Sequence, residues 1–174
     1  MLFFLTSILA TFTESNQCTM NQNEQIVFDF YSDFQNLNAE KMVSHYSDNI
    51  QFEDPAFGKL HAEDAKNMWR MLCENAKDLK ITFTIIESKE NMVKAHWNAE
   101  YTFSRTGRMI YNSINAHFIF ENGLIISHKD HFDLWKWSRQ ALGTSGVLFG
   151  WSPLFQKKLQ KTTAKMLLNF MTTR

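Results

Sequence analysis

The sequence is poor in cysteine and has no excess of charge of either sign. Cys18 and Cys73 are its two cysteines, and no Cys-x-x-Cys pair is present, so a disulfide framework is not expected. Eighteen basic residues balance eighteen acidic ones. This argues against nucleic acid as a partner, because nucleic-acid-binding domains carry a clear basic excess. No familiar spacing of metal ligands occurs either, so neither a metal nor another cofactor is expected.

The first nineteen residues lack the features of a membrane span or a complete secretion signal. The apolar run from Leu2 to Phe12 is too short to cross a bilayer. No Lys or Arg precedes Lys41, so the positive flank of a signal peptide is missing. We expect residues 1–19 to be an apolar leader outside the fold, or Met20 to be the true start. A cytoplasmic protein is expected, with export as the alternative if residues 1–19 are a signal peptide.

The remaining chain has the hydrophobic content and periodicity of one folded domain. Hydrophobic residues make up 44% of the sequence, which suits a sizeable core. Apolar residues first recur at helical spacing, and the period then changes to two, as in strands. The expected helices cover residues 23–37, 38–46, 62–76 and 153–171, and the expected strands cover 50–53, 79–87, 92–104, 109–120 and 124–137.

Helices followed by long strands and a helical tail predict an α+β fold. We expect a cone-shaped, curved antiparallel sheet with N-terminal helices packed on its concave face, and a C-terminal helical tail. The domain is expected to cover residues 20–137, and residues 138–174 to form the helical extension. A cavity between such a sheet and its helices is a natural small-molecule site.

The predicted strand over 124–137 concentrates ionisable side chains. Alternation along a strand gives two faces, with His128, Asp130 and Phe132 on one and Lys129, His131 and Asp133 on the other. Ionisable groups are costly to bury in an apolar interior. His128 and Asp130 are therefore a candidate pair for moving protons. The alternative is a buried pair that only satisfies its own hydrogen bonds.

Three segments of the chain resemble the nuclear-transport-factor-like superfamily. They read HYSDNIQFEDPAFG, TGRMIYNSINAHFIFENG and HKDHFDL. The superfamily includes ketosteroid isomerase, limonene epoxide hydrolase and the SnoaL-like polyketide cyclases, and the resemblance covers about residues 23–134. It implies a cone-shaped fold whose cavity accepts a small molecule.

The resemblance to ketosteroid isomerase implies that Asp54 is a general base and that Tyr31 donates to an oxyanion. The second acid of that enzyme falls on Ala116. Limonene epoxide hydrolase has a strand similar to KDHFDL, which implies a catalytic role for Asp130. The partner Arg and Asp of that enzyme fall near Trp97 and Ala99.

By the same resemblance, one face of the strands looks into the cavity. The side chains expected to contact substrate there are Trp97, Asn112, Ile114, Ala116, Phe118 and Phe132. Two of the candidate acid–base or donor residues have simpler explanations. Asp54 could instead cap backbone amides in the turn before Pro55, and Tyr31 could be a core residue on an apolar helix face.

The leading hypothesis is cofactor-free acid–base chemistry on a small apolar substrate, by an isomerase, cyclase or hydratase type of reaction. Asp130 with His128, and Asp54, would move protons, and Tyr31 or Asn112 would stabilise an oxyanion. The missing second acid favours the alternative, a non-catalytic ligand-binding or dimerising module. An epoxide hydrolase with a rearranged site is a third hypothesis.

The last helix carries Lys157, Lys158, Lys161 and Lys165 on its polar face. A solvated face that docks on the domain or on a second copy of the chain is expected, and a homodimer is the expected assembly. Membrane association is not expected, although lysines in this arrangement also suit an anionic membrane surface.

Overall fold

The computed structural model describes residues 20–173. The expected leader, with Cys18, lies outside the described residues. The helices are α1 Gln22–Gln35, α2 Ala39–Ser44, α3 Ala62–Asn75, α4 Leu134–Leu142, α5 Thr144–Phe149 and α6 Pro153–Thr172. The strands are β1 Tyr46–Asp54, β2 Gly58–His61, β3 Lys80–Lys89, β4 Met92–Phe103, β5 Arg108–Glu121 and β6 Leu124–His131.

All six strands belong to one curved, unclosed sheet in the order β2-β1-β6-β5-β4-β3. The helix α1 contacts β3 and β4, and α3 contacts β1. The predicted α+β fold with N-terminal helices and a C-terminal helix is therefore confirmed. The sheet is mixed rather than wholly antiparallel, because β1 runs parallel to β6 with Phe52 opposite His128. No hairpin joins these two strands, so nothing local in the sequence indicates their relative direction.

The first helix shows why these residues fold locally as they do. Asn21 accepts a hydrogen bond from the Glu24 backbone N–H, and the Glu24 side chain accepts one from the Asn21 N–H. This capping box fixes the start of α1. The buried side chains then recur three and four residues apart, as on one face of a helix. They are Val27, Phe30, Tyr31 and Phe34.

The strand predicted over 124–137 ends early. β6 stops at His131, and the Asp133 side chain accepts a hydrogen bond from the Lys136 N–H at 2.8 Å. This N-cap starts α4, which continues across the boundary expected after residue 137. The predicted strand was therefore too long, because it included the first residues of α4. Asp133 caps a helix instead of sharing a strand face, whereas His128 and Asp130 do lie on the inner face of β6.

The C-terminal helices pack directly on the sheet and on the turn after β1. Thr163 donates its hydroxyl to the Ala56 carbonyl at 2.9 Å, and Gln160 donates to the Pro55 carbonyl at 3.3 Å. From α4, Trp137 donates its indole N–H to the Tyr101 hydroxyl at 2.9 Å. These helices thus cover the end of the sheet that carries the turn after β1. Among the described helices, none has the length and apolar character needed to cross a membrane.

Candidate functional site

The inner face of β6 brings His128 and Asp130 into direct contact. His128 is fully buried and Asp130 is 5% exposed. His128 Nε2 lies 3.1 Å from Asp130 Oδ1, and Trp97 Nε1 donates to the same oxygen at 3.3 Å. Trp97 comes from β4, so two strands of the sheet position the Asp130 carboxylate. The two-residue spacing in a strand thus places the pair side by side, as the alternation indicates.

The other nitrogen of His128 is also bonded. His128 Nδ1 lies 2.6 Å from the Tyr46 hydroxyl, which accepts a hydrogen bond from Trp69 Nε1 at 2.7 Å. Tyr46 begins β1 and Trp69 lies in α3, so the chain of bonds crosses from the helices to the sheet. We call Trp69, Tyr46, His128, Asp130 and Trp97 the buried hydrogen-bond chain.

One arrangement of protons satisfies every member of this chain. The indole N–H of Trp69 can only donate, so the Tyr46 oxygen accepts and its own hydrogen is left for His128 Nδ1. A neutral His128 then carries its proton on Nε2 and donates it to Asp130 Oδ1. An imidazolium would use its Nδ1 proton on the Tyr46 oxygen and leave the Tyr46 hydroxyl without an acceptor. We therefore assign the neutral Nε2–H tautomer to His128.

Asp130 within the buried hydrogen-bond chain and Tyr31 beside it both have unused hydrogen-bonding capacity. The hydrogen bonds of Asp130 within the described residues all fall on Oδ1, which leaves Oδ2 available. The Tyr31 hydroxyl is buried and has no hydrogen-bond partner among residues 20–173. Burial first, and then the charge of Asp130, raises the pKa of Tyr31 well above its usual value, so the two groups lie within electrostatic reach. A buried hydroxyl without a partner is unfavourable in the free protein.

Asp54 lies at the end of β1, apart from this chain. Its Oδ1 accepts hydrogen bonds from the Ala56 N–H at 2.9 Å and from the Phe57 N–H, which is the turn-capping role described above. Burial nevertheless raises the pKa of Asp54 to about 7, and the charge of Asp130 adds to this effect against the opposing amide hydrogen bonds. The two carboxyl groups are therefore coupled electrostatically without being in contact. A carboxyl that titrates near neutral pH can serve as acid or base.

Aromatic rings occupy the space between the helices and the sheet. The ring centroid of His128 lies 4.1 Å from that of Phe118 and 5.8 Å from that of Trp69, which stacks on it. The Phe34 centroid lies 5.1 Å from that of Trp69 and 5.8 Å from that of Trp97. Where the sequence predicts an open cavity, the structure thus has closely packed rings.

Two surface depressions lie away from the candidate acid–base groups. One, of about 350 Å³, is lined by Asn112, Ser113, Asn115, His131, Phe132, Asp133 and Lys136. The other, of about 290 Å³, is lined by Leu37, Asn38, Ala39, Glu40, Arg70, Cys73 and Glu74. Neither is lined by Asp54, His128 or Asp130. Of the expected substrate contacts, Ile114, Ala116 and Phe118 are buried on the inner face with Trp97, whereas Asn112 and Phe132 line the first depression.

Tyr46 and Trp69 were missed as members of the candidate site. The spacing of apolar residues assigns both to helix cores, and Tyr46 proves to be the first residue of β1. The available signal was chemical, because a buried Tyr hydroxyl or Trp N–H usually requires a hydrogen-bond partner. A buried histidine likewise needs one partner for each ring nitrogen.

Comparison with known sequence families places this site within a recognised domain. The family described as SnoaL-like domain matches residues 27–128 of the chain. This protein belongs to the SnoaL-like domain family. The match begins at Val27 within α1 and ends at His128 within β6, so Asp130 and helices α4 to α6 lie beyond it. A comparison with curated protein sequences finds no match.

Solved structures with the same fold come from several kinds of protein. A candidate polyketide cyclase from Xanthomonas campestris is 14% identical over 69% of this chain and 96% of its own, with a TM-score of 0.60. An epoxide hydrolase of the limonene type from Mycobacterium tuberculosis is 14% identical over 73% and 92%, with a TM-score of 0.57. A candidate isomerase from Bacillus subtilis is 17% identical over 71% and 96%, with a TM-score of 0.58. At these identities the SnoaL-like protein shares their fold, and its reaction must be argued from its own residues.

Proposed function

We propose that this SnoaL-like protein carries out cofactor-free acid–base chemistry on a small apolar carbonyl compound, in an isomerase, cyclase or hydratase type of reaction. The observation that carries the proposal is the Tyr31 hydroxyl, a buried donor without an acceptor within electrostatic reach of Asp130. A substrate carbonyl oxygen would supply the missing acceptor. This arrangement combines an oxyanion donor with a carboxylate in one apolar interior.

Each polar group has a defined role in this reaction. Asp130 Oδ2 accepts a proton from the carbon next to the substrate carbonyl, the electron pair of that C–H bond forms a C=C bond, and the π pair of the carbonyl moves onto its oxygen. The hydrogen bond from Tyr31 stabilises the resulting enolate. His128 and Trp97 hold the Asp130 carboxylate through its other oxygen. Asp54, whose pKa burial raises to about 7, returns a proton to the enolate to form the product.

Substrate binding requires the aromatic rings to move, because they fill the concave face of the sheet. The same observation favours a second candidate function, a non-catalytic module that binds a small ligand or a second copy of the chain. Ala116 at the position of the second acid of ketosteroid isomerase supports this candidate as well. An epoxide hydrolase ranks below both, since Trp97 and Ala99 stand where the Arg and Asp of that enzyme are expected.

Deuterium exchange tests the reaction without knowledge of the natural substrate. A panel of small apolar ketones is incubated with the protein in D₂O, and proton NMR follows loss of the signal from the carbon next to the carbonyl. We expect the wild type to accelerate exchange of at least one ketone. Asp130→Asn should slow this exchange by about 100-fold, the typical contribution of a positioned proton-transfer group.

Asp64→Asn is the matched control, because Asp64 is an exposed carboxylate at the start of α3. It should leave the exchange rate unchanged. Equal exchange by the wild type and Asp130→Asn would contradict the role of Asp130. Ketones that bind and quench tryptophan fluorescence but never exchange would support the non-catalytic module instead.

A further inference from the structure

The C-terminal part of the chain has a charge opposite to that of the rest. Residues 134–174 contain seven of the eighteen basic residues and no Asp or Glu. The preceding residues therefore carry eleven basic residues against eighteen acidic ones. The overall charge of zero conceals a cationic extension attached to an anionic domain. Such an asymmetry indicates a partner with negative charge.

An exposed apolar segment lies in the same extension. It spans α5 and the start of α6, and we call its five exposed side chains the apolar tip. Between 48% and 79% of the surface of each one is exposed. The apolar tip consists of Val147, Leu148, Phe149, Trp151 and Leu154. Contiguous exposed apolar side chains of this kind mark an interaction surface.

Close packing of two glycines fixes the position of this segment. A Cβ atom at Gly146 would clash with the backbone of Ser138, and one at Gly150 would clash with the Ser138 side chain. Both glycines are buried. The backbone of α5 therefore lies directly against α4, and the intervening apolar side chains point away from the protein. Their exposure follows from the packing of the fold.

The outer face of α6 continues this surface with positive charge. Exposed residues recur three or four positions apart along it, which places them on one side of the helix. They are Leu154, Lys157, Lys158, Lys161, Lys165 and Leu168. The opposite side packs on the domain through Thr163 and the buried Leu167. Within residues 20–173, these four lysines form no ion pair with a carboxylate.

We propose that the apolar tip and the lysine face of α6 together dock the protein on an anionic lipid surface. Trp, Phe and Leu side chains favour the boundary between headgroups and acyl chains, and each lysine close to an anionic surface adds binding energy. Negatively charged lipid headgroups complement a surface with four lysines and no carboxylate. Two copies of the chain joined symmetrically through this surface are a poorer assembly, because their two cationic faces would repel each other.

Vesicle flotation of the full-length protein tests this proposal. The probes are phosphatidylcholine vesicles and vesicles with about one third phosphatidylglycerol. We expect binding to the anionic vesicles alone, and weaker binding as the salt concentration rises. Replacing the four lysines by glutamine should weaken binding by at least about tenfold. Leu148→Ser/Phe149→Ser/Trp151→Ser should weaken it by a similar factor, because the anchoring side chains are lost.

Matched controls replace similar residues on other surfaces. Lys41, Lys59, Lys77 and Lys80 are exposed and become glutamine in one control, and the exposed Ile86 becomes serine in the other. Both controls should bind as the wild type does. Absence of wild-type binding, or equal binding by the wild type and both C-terminal variants, would overturn the proposal. A dimer that the triple serine variant dissociates, without vesicle binding, would assign this surface to self-association and overturn it as well.

Discussion

Trp69→Ala should lower the free energy of unfolding by about 4 kcal/mol, as expected for loss of a large buried aromatic side chain. Trp69 is 1% exposed, and its ring centroid lies 5.3 Å from that of Phe30 and 5.7 Å from that of Phe52. The substitution also removes the N–H that donates to Tyr46. Denaturant unfolding, followed by circular dichroism, measures the change.

Two further variants separate the causes of this loss. Trp69→Phe retains most of the ring contacts and removes the N–H, so it should cost about 1–2 kcal/mol. Trp151→Ala changes the same residue type at a position that is 67% exposed and should change stability by less than about 0.5 kcal/mol. A Trp69→Ala protein as stable as Trp151→Ala would mean that α3 does not pack on the sheet in this way.

Asp54 should make the folded protein less stable as the pH rises from about 4 to about 7. Its pKa is about 7 in the folded protein, against 3.8 for an ordinary aspartate. Between these values the folded state holds a proton that the unfolded chain has released, so stability falls with increasing pH and then levels off above 7. The difference between the two plateaus is on the order of 4 kcal/mol.

Asp54→Asn provides the comparison, because an amide keeps the acceptor oxygen for Ala56 and Phe57 but does not titrate. The free energy of unfolding is measured for both proteins at several pH values from 4 to 8. The difference between them isolates Asp54 from other carboxylates such as Glu87, whose pKa the neighbouring lysines lower to about 2. A difference that stays constant over this range would show that Asp54 titrates as an ordinary aspartate.

The alternation of side chains in β6 was sufficient to predict that His128 and Asp130 share one face, and the resemblance to the superfamily predicted that this face looks inward. This works because a strand has a strict period of two, and burial of one face fixes which residues point inward. The same pattern could not show where the strand ends. The Asp133 N-cap replaces the alternation with a helix start, and its signal consists of one short polar side chain.

Other features depend on contacts between distant parts of the chain. β1 lies beside β6 in parallel, and this pairing brings Tyr46 to His128. Neither residue indicates the other in the sequence, since more than eighty positions separate them. The packed aromatic interior was also not predictable, because periodicity shows which rings face inward but not whether they leave a space between them.

The domain match and the extension suggest a division of roles within the chain. The SnoaL-like match ends at His128, and the helices beyond it contribute Trp137 next to Tyr101 and cover the turn that holds Asp54. The same helices carry the apolar tip and the lysine face of α6. The helices that carry the proposed lipid-binding surface thus also pack on the turn beside Asp54. The lipid-binding and acid–base proposals are nevertheless tested by separate experiments.

Tyr31→Phe tests most directly whether the unpaired hydroxyl serves a substrate. If this hydroxyl awaits a carbonyl oxygen, its removal should stabilise the free protein by about 1 kcal/mol, because an unsatisfied buried donor is lost. The same variant should slow ketone deuterium exchange by about 100-fold, since the enolate loses its hydrogen bond. Both quantities are measured on one preparation by thermal unfolding and NMR. A variant that is less stable than the wild type, or that exchanges ketones at the wild-type rate, would contradict the account.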